Sequence, residues 1–372
     1  MKSYDIIVIG AGIAGASVAA HLAATRRVAV LEMENRPGFH STGRSAASYE
    51  PNYGPPAMLA LTRASESFFR EPPRGFAEAP LLTSRESLFL VTEGQEEACE
   101  KLIAKANELG ELSERAAREI FPVLRPGHAK RVLLDPNTGD LDVDLIHSGY
   151  LRLLRERGGQ VFTDHEVKGL LYRDWKWQVA TPHGIYTSPM IVNAAGAWAD
   201  TIAKLGGVAP IGLQPKRRSI GVVPVTGHDD LEDWPLVTDA GETWYCKPQS
   251  GKLIVSSADA TPVDPHDAYA DDMAIATGID RLMQATTLTV DRLHHSWGGL
   301  RSFVRDGQPV VGFAPDQEGF FWLAGQGGYG IQSSPALSET AASLILGTPL
   351  PDSVVAQGLD IKDISPRRLT HS

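Results

Sequence analysis

A short β-branched run, Tyr4-Asp5-Ile6-Ile7-Val8-Ile9, stops abruptly at Gly10-Ala11-Gly12-Ile13-Ala14-Gly15, and residues 16–24 after it are rich in helix formers. No other stretch limits the fold as tightly. Strand, tight turn and helix in this order open a βαβ unit, and Arg27-Val28-Ala29-Val30-Leu31 supplies its second strand. The three glycines differ in their mechanical roles. Gly10 makes the turn, Gly12 lets backbone N–H groups approach a pyrophosphate, and Gly15 lets helix and strand pack closely. The second strand ends in Glu32, 22 residues after Gly10. A carboxylate there accepts both hydroxyls of an adenosine ribose and repels a 2′-phosphate. The unit therefore reads as a dinucleotide site for FAD or NAD, with NADP disfavoured.

The 372 residues exceed one ordinary core and suit two domains or one elaborated α/β domain. Against 35 Lys and Arg stand 45 Asp and Glu, a formal charge of -10, so the field repels polyanions and points away from nucleic acid and toward a small molecule. Cys99 and Cys246 lie far apart, without CxxC or Cys/His spacing, which argues against a disulfide framework and against a metal site. A reducing cytoplasm fits, with the protein free or peripheral at the inner face of the membrane. Residues 6–25 lack Asp, Glu, Lys and Arg over a length that would span a bilayer. Their glycines, with Asp5 before and Arg26-Arg27 after, fit neither a spanning helix nor a signal peptide.

Residues 36–56 are rich in Gly, Ser and Pro and carry His40, Arg44 and Tyr53, which marks a functional loop. Helical patterns follow at 58–70, 96–109 and 145–157, and strand-like runs at 87–91, 160–163, 176–180 and 220–223 read as antiparallel sheet. Met190-Ile191-Val192-Asn193-Ala194-Ala195-Gly196 and Phe320-Phe321-Trp322-Leu323-Ala324 are further buried strands that run into small-residue turns. Nucleotide-type segments thus recur at the start, middle and end. The expected fold is α/β: a discontinuous Rossmann-like domain (1–50, 141–206 and 299–360), a substrate domain on a largely antiparallel sheet with flanking helices (51–140 and 207–298), and a surface tail (361–372).

Six separated motifs, in order, resemble the FAD-dependent D-amino-acid oxidase and glycine or sarcosine oxidase superfamily, and within it the D-arginine dehydrogenases. They are Gly10 to Gly15 with Glu32; His40-Ser41-Thr42-Gly43-Arg44-Ser45-Ala46-Ala47; Asn193-Ala194-Ala195-Gly196-Ala197-Trp198; Gln214-Pro215-Lys216-Arg217-Arg218-Ser219; Gly299-Leu300-Arg301-Ser302-Phe303; and Gly325-Gln326-Gly327-Gly328-Tyr329-Gly330-Ile331-Gln332. The resemblance implies noncovalent FAD, since neither cysteine falls where sarcosine oxidases attach their flavin. Ile13, Ala14 and Met33 join the dinucleotide contacts, the 41–48 loop through Ser48 runs past the isoalloxazine, Val167 meets the adenine end, and Ala195, Gly196 and Trp198 line the site. Gly327, Gly328, Tyr329, Gly330, Ile331 and Gln332 close over the flavin, and a helix starting at Gly330 would aim its N-terminus at reduced flavin.

By the same resemblance the partner is a small-molecule amino-acid substrate, and the reaction is oxidative deamination of D-amino acids, with basic ones such as D-arginine included, by hydride transfer from Cα to flavin N5. Electrons then pass to a quinone, another carrier or oxygen. A substrate carboxylate is best fixed by the planar fork of arginine, and Arg218 and Arg301 stand at the family's positions, with Tyr53 and Tyr245 as further substrate contacts and Gly328 and Gln332 beside them. Where D-arginine dehydrogenases place a carboxylate, this chain has Ser87. Its neighbour Glu86 points to the opposite face of a strand unless a bulge intervenes, and Glu50 is a second source of negative charge. The alternatives are a cyclic or N-substituted secondary amino acid, a flavoprotein subunit that needs a partner, and an NAD-dependent dehydrogenase sharing only the first βαβ unit. His294-His295 is read as structural.

Overall fold

The computed structural model describes residues 2–106 and 108–369. A six-stranded sheet gathers its strands from the start, middle and end of the chain, in the spatial order Gln160–Phe162, Val28–Leu31, Ile6–Ile9, Met190–Asn193, Phe320–Ala324 and Val310–Phe313. All neighbours run parallel except the last pair. Alternation divides each strand between two cores. Ile6 and Val8 pack with the helices Ile13–Leu22, Val143–Glu156 and Ser334–Leu346, while Ile7 and Ile9 face Trp177, Val179 and Tyr186 of an antiparallel meander. A sheet buried on both faces needs strands that are apolar throughout, which explains the unbroken Ile6-Ile7-Val8-Ile9 run.

The uncharged 6–25 segment resolves into one short strand and a ten-residue helix. No helix among the described residues is long and apolar enough to cross a membrane. One strand differs from its sequence reading: Gln160–Phe162 joins the parallel sheet beside Val28–Leu31 and does not enter an antiparallel one. It follows the Val143–Glu156 helix, and a helix returning to a sheet delivers its next strand in parallel.

The second large sheet has nine strands and is antiparallel apart from one pair, Leu236–Asp239 with Ser87–Val91. Its longest members, Gln214–Pro224 and His295–Phe303, pair over nine residues. Two expected boundaries fall inside strands: 298/299 lies within His295–Phe303, and 140/141 within Gly139–Leu141. His295–Phe303 pairs with Gln214–Pro224 and, through a bridge from Ser302 to Gly327, touches the glycine-rich loop of the other sheet. A small three-stranded sheet, Ser48–Tyr49, Gly139–Leu141 and Leu82–Ser84, anchors the 36–56 loop.

The C-terminal segment is not a tail. Ile364 is fully buried, its carbonyl accepts from Val311 N–H at 2.8 Å, and Arg368 pairs with Asp306 at 2.8 Å. Of the expected tail, residues 370–372 lie outside the described residues.

Candidate active site

The turn after Ile9 is built for close approach. Gly10 has φ +99°, and a Cβ on it would lie 2.5 Å from the Ala194 carbonyl; a Cβ on Gly15 would lie 1.9 Å from the Gly10 carbonyl. The helix that follows has no side-chain cap on its first turn, although Thr42 Oγ1 accepts from Ile13 N–H at 3.0 Å. Uncapped N–H groups at a helix start suit a phosphate. Glu32 is buried at the end of its strand and accepts from Ala11 N–H at 2.7 Å and Glu34 N–H at 3.0 Å. Burial pushes its carboxyl above the ordinary range against those two bonds.

From this turn a continuous cavity of about 560 Å³ runs to the second sheet. Gly10, Gly12, Ile13, Ala14, Glu32, Met33 and Val167 line it near the turn, followed by Ser41, Thr42, Arg44 to Ser48, Ala195, Gly196 and Trp198. At the far side stand Glu50, Tyr53, Arg218, Tyr245 and Arg301, with Gly327, Gly328, Gly330, Ile331 and Gln332 closing it. Four expected residues stand behind the wall. Gly15 and Gly43 pack against backbone, Ser87 bonds to Glu50, and Tyr329 packs edge-on against Tyr53 at 5.1 Å between ring centres.

FAD fits this space on three observations. The glycine cradle excludes side chains where the dinucleotide must approach, Glu32 marks the ribose end, and Gln326, which lines the cavity, has a buried Nε2 without a hydrogen-bond partner. No cysteine lines it. The 36–56 loop is held from the other sheet: Ser41 Oγ donates to the Leu300 carbonyl at 2.7 Å, Arg44 Nη1 donates to the Gly298 carbonyl at 3.3 Å, and Trp297 Nε1 donates to the Arg44 carbonyl at 3.1 Å.

Strand pairing puts the two arginines on one face. Lys216 lies opposite Arg301 and Arg218 opposite Gly299, so Arg218 and Arg301 are diagonal neighbours. Arg301 Nη2 donates to the Tyr53 hydroxyl at 3.1 Å, and its guanidinium stands 5.7–5.8 Å from the ring centres of Tyr53, Phe303 and Tyr329. A Cβ on Gly328 would lie 2.0 Å from Arg301 Nη2, so only glycine leaves the guanidinium this position. Burial works against the charge of Arg301, yet the tyrosine oxygens, Tyr53 first, hold it above its ordinary range. Arg218 donates through Nε to the Asp259 carbonyl at 2.8 Å and lies 6.0 Å from the Tyr245 ring centre. Neither arginine has a carboxylate partner among the described residues, whereas the adjacent Arg217 pairs with Asp271 at 2.8 Å. Two cations on a cavity wall without counter-ions make an anion site.

Ser87 is fully buried and its hydroxyl donates to Glu50 Oε1 at 2.9 Å, while Glu86 is exposed. No bulge brings Glu86 inward, so Glu50 is the acid at this place. The 330–346 helix starts later than expected: 327–333 form turns and the helix begins at Ser334, with Pro335 in its first turn, where proline is tolerated. That helix start does not reach the cavity, and the loop itself covers it. His294 and His295 bond to each other at 2.8 Å, exposed and away from the cavity. No group of three or more metal-ligating side chains occurs among the described residues.

One buried ion-pair cluster behind the cavity-lining loop was missed by sequence reasoning. Lys247 is buried and binds Asp140 at 2.5 Å; Asp140 also takes Arg85 at 2.6 Å, and Lys247 reaches the Ala47 carbonyl at 3.5 Å. A period-two reading from Tyr245 would have put Lys247 on the same face of its strand.

The family model described as FAD dependent oxidoreductase (DAO) matches residues 5–344. Glycine oxidase of Geobacillus kaustophilus (strain HTA426) is 26% identical over 364 residues, spanning 92% of this chain and 93% of that protein. The crystal structure of glycine oxidase from Geobacillus kaustophilus superposes with a TM-score of 0.85 at 20% identity, each chain covered in full. L-proline dehydrogenase from P. horikoshii gives 0.82 at 21% identity over 99% of this chain and 98% of the other.

Proposed function

The chain belongs to the DAO family of FAD-dependent oxidoreductases, and from that premise we propose that it deaminates amino acids of D configuration at Cα, with the substrate carboxylate held by Arg301. The observation that carries this reading is the unpaired Arg301 guanidinium, fixed by Tyr53 and three aromatic rings in the wall of the cofactor cavity. Relatives named for glycine and sarcosine support an amine or amino acid as the reductant. The D configuration rests on the likeness of the six sequence motifs.

FAD, when bound, supplies the two-electron acceptor for a hydride from Cα. Arg301 fixes the carboxylate through its planar fork, and Arg218, on the same face of the sheet, adds positive potential. The rings of Tyr53, Phe303 and Tyr329 keep water from the guanidinium and hold its plane, so orientation supplies much of the acceleration. Loss of hydride from a neutral amine needs no strong base; Tyr329 is pushed up by burial, and His40 is bonded to Glu34 at 2.8 Å. The imino acid then hydrolyses to a 2-oxo acid and ammonia. In this reading the units 51–140 and 207–298 supply Tyr53, Arg218 and Tyr245 to the substrate side of the cavity, Arg301 joins them from just beyond the second unit, and the flavin is held noncovalently, with no cysteine in the lining.

Turnover of matched D- and L-amino acids, glycine, sarcosine and D-proline with an artificial electron acceptor tests the reading. Preference for a primary D-amino acid supports it; turnover of L-enantiomers alone, or of secondary amines alone, refutes it.

A further inference from the structure

The Val143–Glu156 helix buries Ile146, His147, Tyr150, Leu151 and Leu154 along one stripe, packed with the helix that follows the glycine turn. An imidazole in an apolar stripe is costly unless its nitrogens are accommodated. His147 commits one of them to the turn: Nε2 lies 2.9 Å from the Ala11 carbonyl oxygen. A carbonyl only accepts, so Nε2 carries the proton. The other nitrogen, Nδ1, faces Gly38, where a Cβ would stand 3.0 Å away, and burial holds the imidazole below its ordinary range against the pull of the Ala11 bond and Asp144. The ring is therefore the neutral tautomer protonated at Nε2.

The carbonyl it holds belongs to a peptide that faces the cofactor cavity. Ala11 is fully buried, and its own N–H donates to Glu32 Oε2 at 2.7 Å. Its carbonyl is one end of the next peptide, and Gly12 N–H is the other. Across a trans peptide these two groups point in opposite directions. A carbonyl drawn toward His147, which stands outside the cavity lining, thus turns Gly12 N–H the other way; Gly12 lines the cavity, and its N–H donates to no described residue. The same ring braces the 36–44 segment. Gly38, at φ +73°, packs on it, the Gly38 carbonyl accepts from Gly43 N–H at 2.8 Å, and Thr42 Oγ1 in that turn accepts from Ile13 N–H at 3.0 Å.

We propose that His147 is a positioning residue for FAD: by holding the Ala11 carbonyl inside the protein it aims Gly12 N–H at the pyrophosphate. Glu32 and His147 fix two successive peptides, one through its N–H and the other through its carbonyl. Without the imidazole donor the Ala11 carbonyl is a buried acceptor with no partner, and rotating its peptide relieves that cost. The same rotation withdraws Gly12 N–H from the cavity and turns a carbonyl oxygen toward the phosphates, which repel it.

The test follows FAD release from the diluted holoenzyme, read as the rise in flavin fluorescence, for wild type, His147→Gln, His147→Asn and His147→Phe, with circular dichroism checking the fold. Glutamine brings an amide N–H to the place of Nε2, asparagine falls one methylene short, and phenylalanine keeps a ring without the donor. His147→Phe and His147→Asn should raise the dissociation constant of FAD about ten- to hundredfold, and His147→Gln should stay within about fivefold of wild type. Affinity in His147→Phe equal to wild type would overturn the inference. Equal losses in all three variants, or failure of all three to fold, would overturn it as well, because the ring would then serve packing alone. If only His147→Phe fails to fold, tighter binding by His147→Gln than by His147→Asn supports the inference, and equal binding by the two overturns it.

Discussion

Arg301 and Tyr53 lie 248 residues apart in sequence and meet through a 3.1 Å hydrogen bond from Nη2 to the tyrosine hydroxyl. The contact joins a strand of the large sheet to the loop that passes the cofactor cavity, so the proposed substrate anchor and the cofactor wall share one side-chain bond. Tyr53→Phe removes the bond and leaves the ring. The expected result is a rise in KM of about threefold to tenfold with kcat little changed, since a net hydrogen bond is worth about 0.5–1.5 kcal/mol. Steady-state kinetics check it.

Gly15→Ala should give a colourless or unfolded protein. Its Cβ would stand 1.9 Å from the Gly10 carbonyl, and neither backbone can yield without reopening the turn. Flavin content per chain, read from the absorbance spectrum of purified protein, measures the loss. For wild type, acid precipitation should leave the flavin in the supernatant, as noncovalent binding requires.

Glu50 should make the folded chain less stable as pH rises. Its carboxyl holds a proton up to about 8 in the folded state and ordinarily loses it near 4.5, so the unfolded chain binds fewer protons between those values. The contribution is fully present below the lower value and is lost as pH approaches the upper one. Relative to wild type, Glu50→Gln should therefore gain thermal stability between pH 6 and pH 9, roughly the window set by that linkage. Melting temperatures of the cofactor-stripped protein at the two pH values decide the sign.

Lys247→Met should destabilise the chain by about 3 kcal/mol, the low end for breaking a buried pair, because Arg85 remains on Asp140. The Ala47 carbonyl, on a residue held at φ +62°, loses one of its two donors at the same time. Urea denaturation gives the stability, and a shifted flavin absorbance band would report the loosened loop.

The βαβ unit was legible because its signals are local: a strand apolar on both faces, glycines where backbones touch, an acid at the strand end. Arg218 and Arg301 were legible only through their motifs; that they share a face follows from the pairing of Lys216 with Arg301, which no local pattern encodes. Gln160–Phe162 read as antiparallel because three residues carry no directional information. The ambiguity at Ser87 was resolved by burial alone, Ser87 inward and Glu86 outward, while the Lys247 cluster joins residues 55 and 107 positions apart and had no contiguous signature.

Anaerobic mixing of the holoenzyme with a D-amino acid, followed at the flavin absorbance band, tests the central claim most directly. Wild type should be bleached with saturation, and Arg301→Met should retain its flavin yet need a concentration about tenfold to several hundredfold higher for the same half-effect. Bleaching of Arg301→Met at the wild-type concentration, or no bleaching of wild type by any D-amino acid, would contradict the assignment of Arg301 as the anchor of an amino-acid substrate.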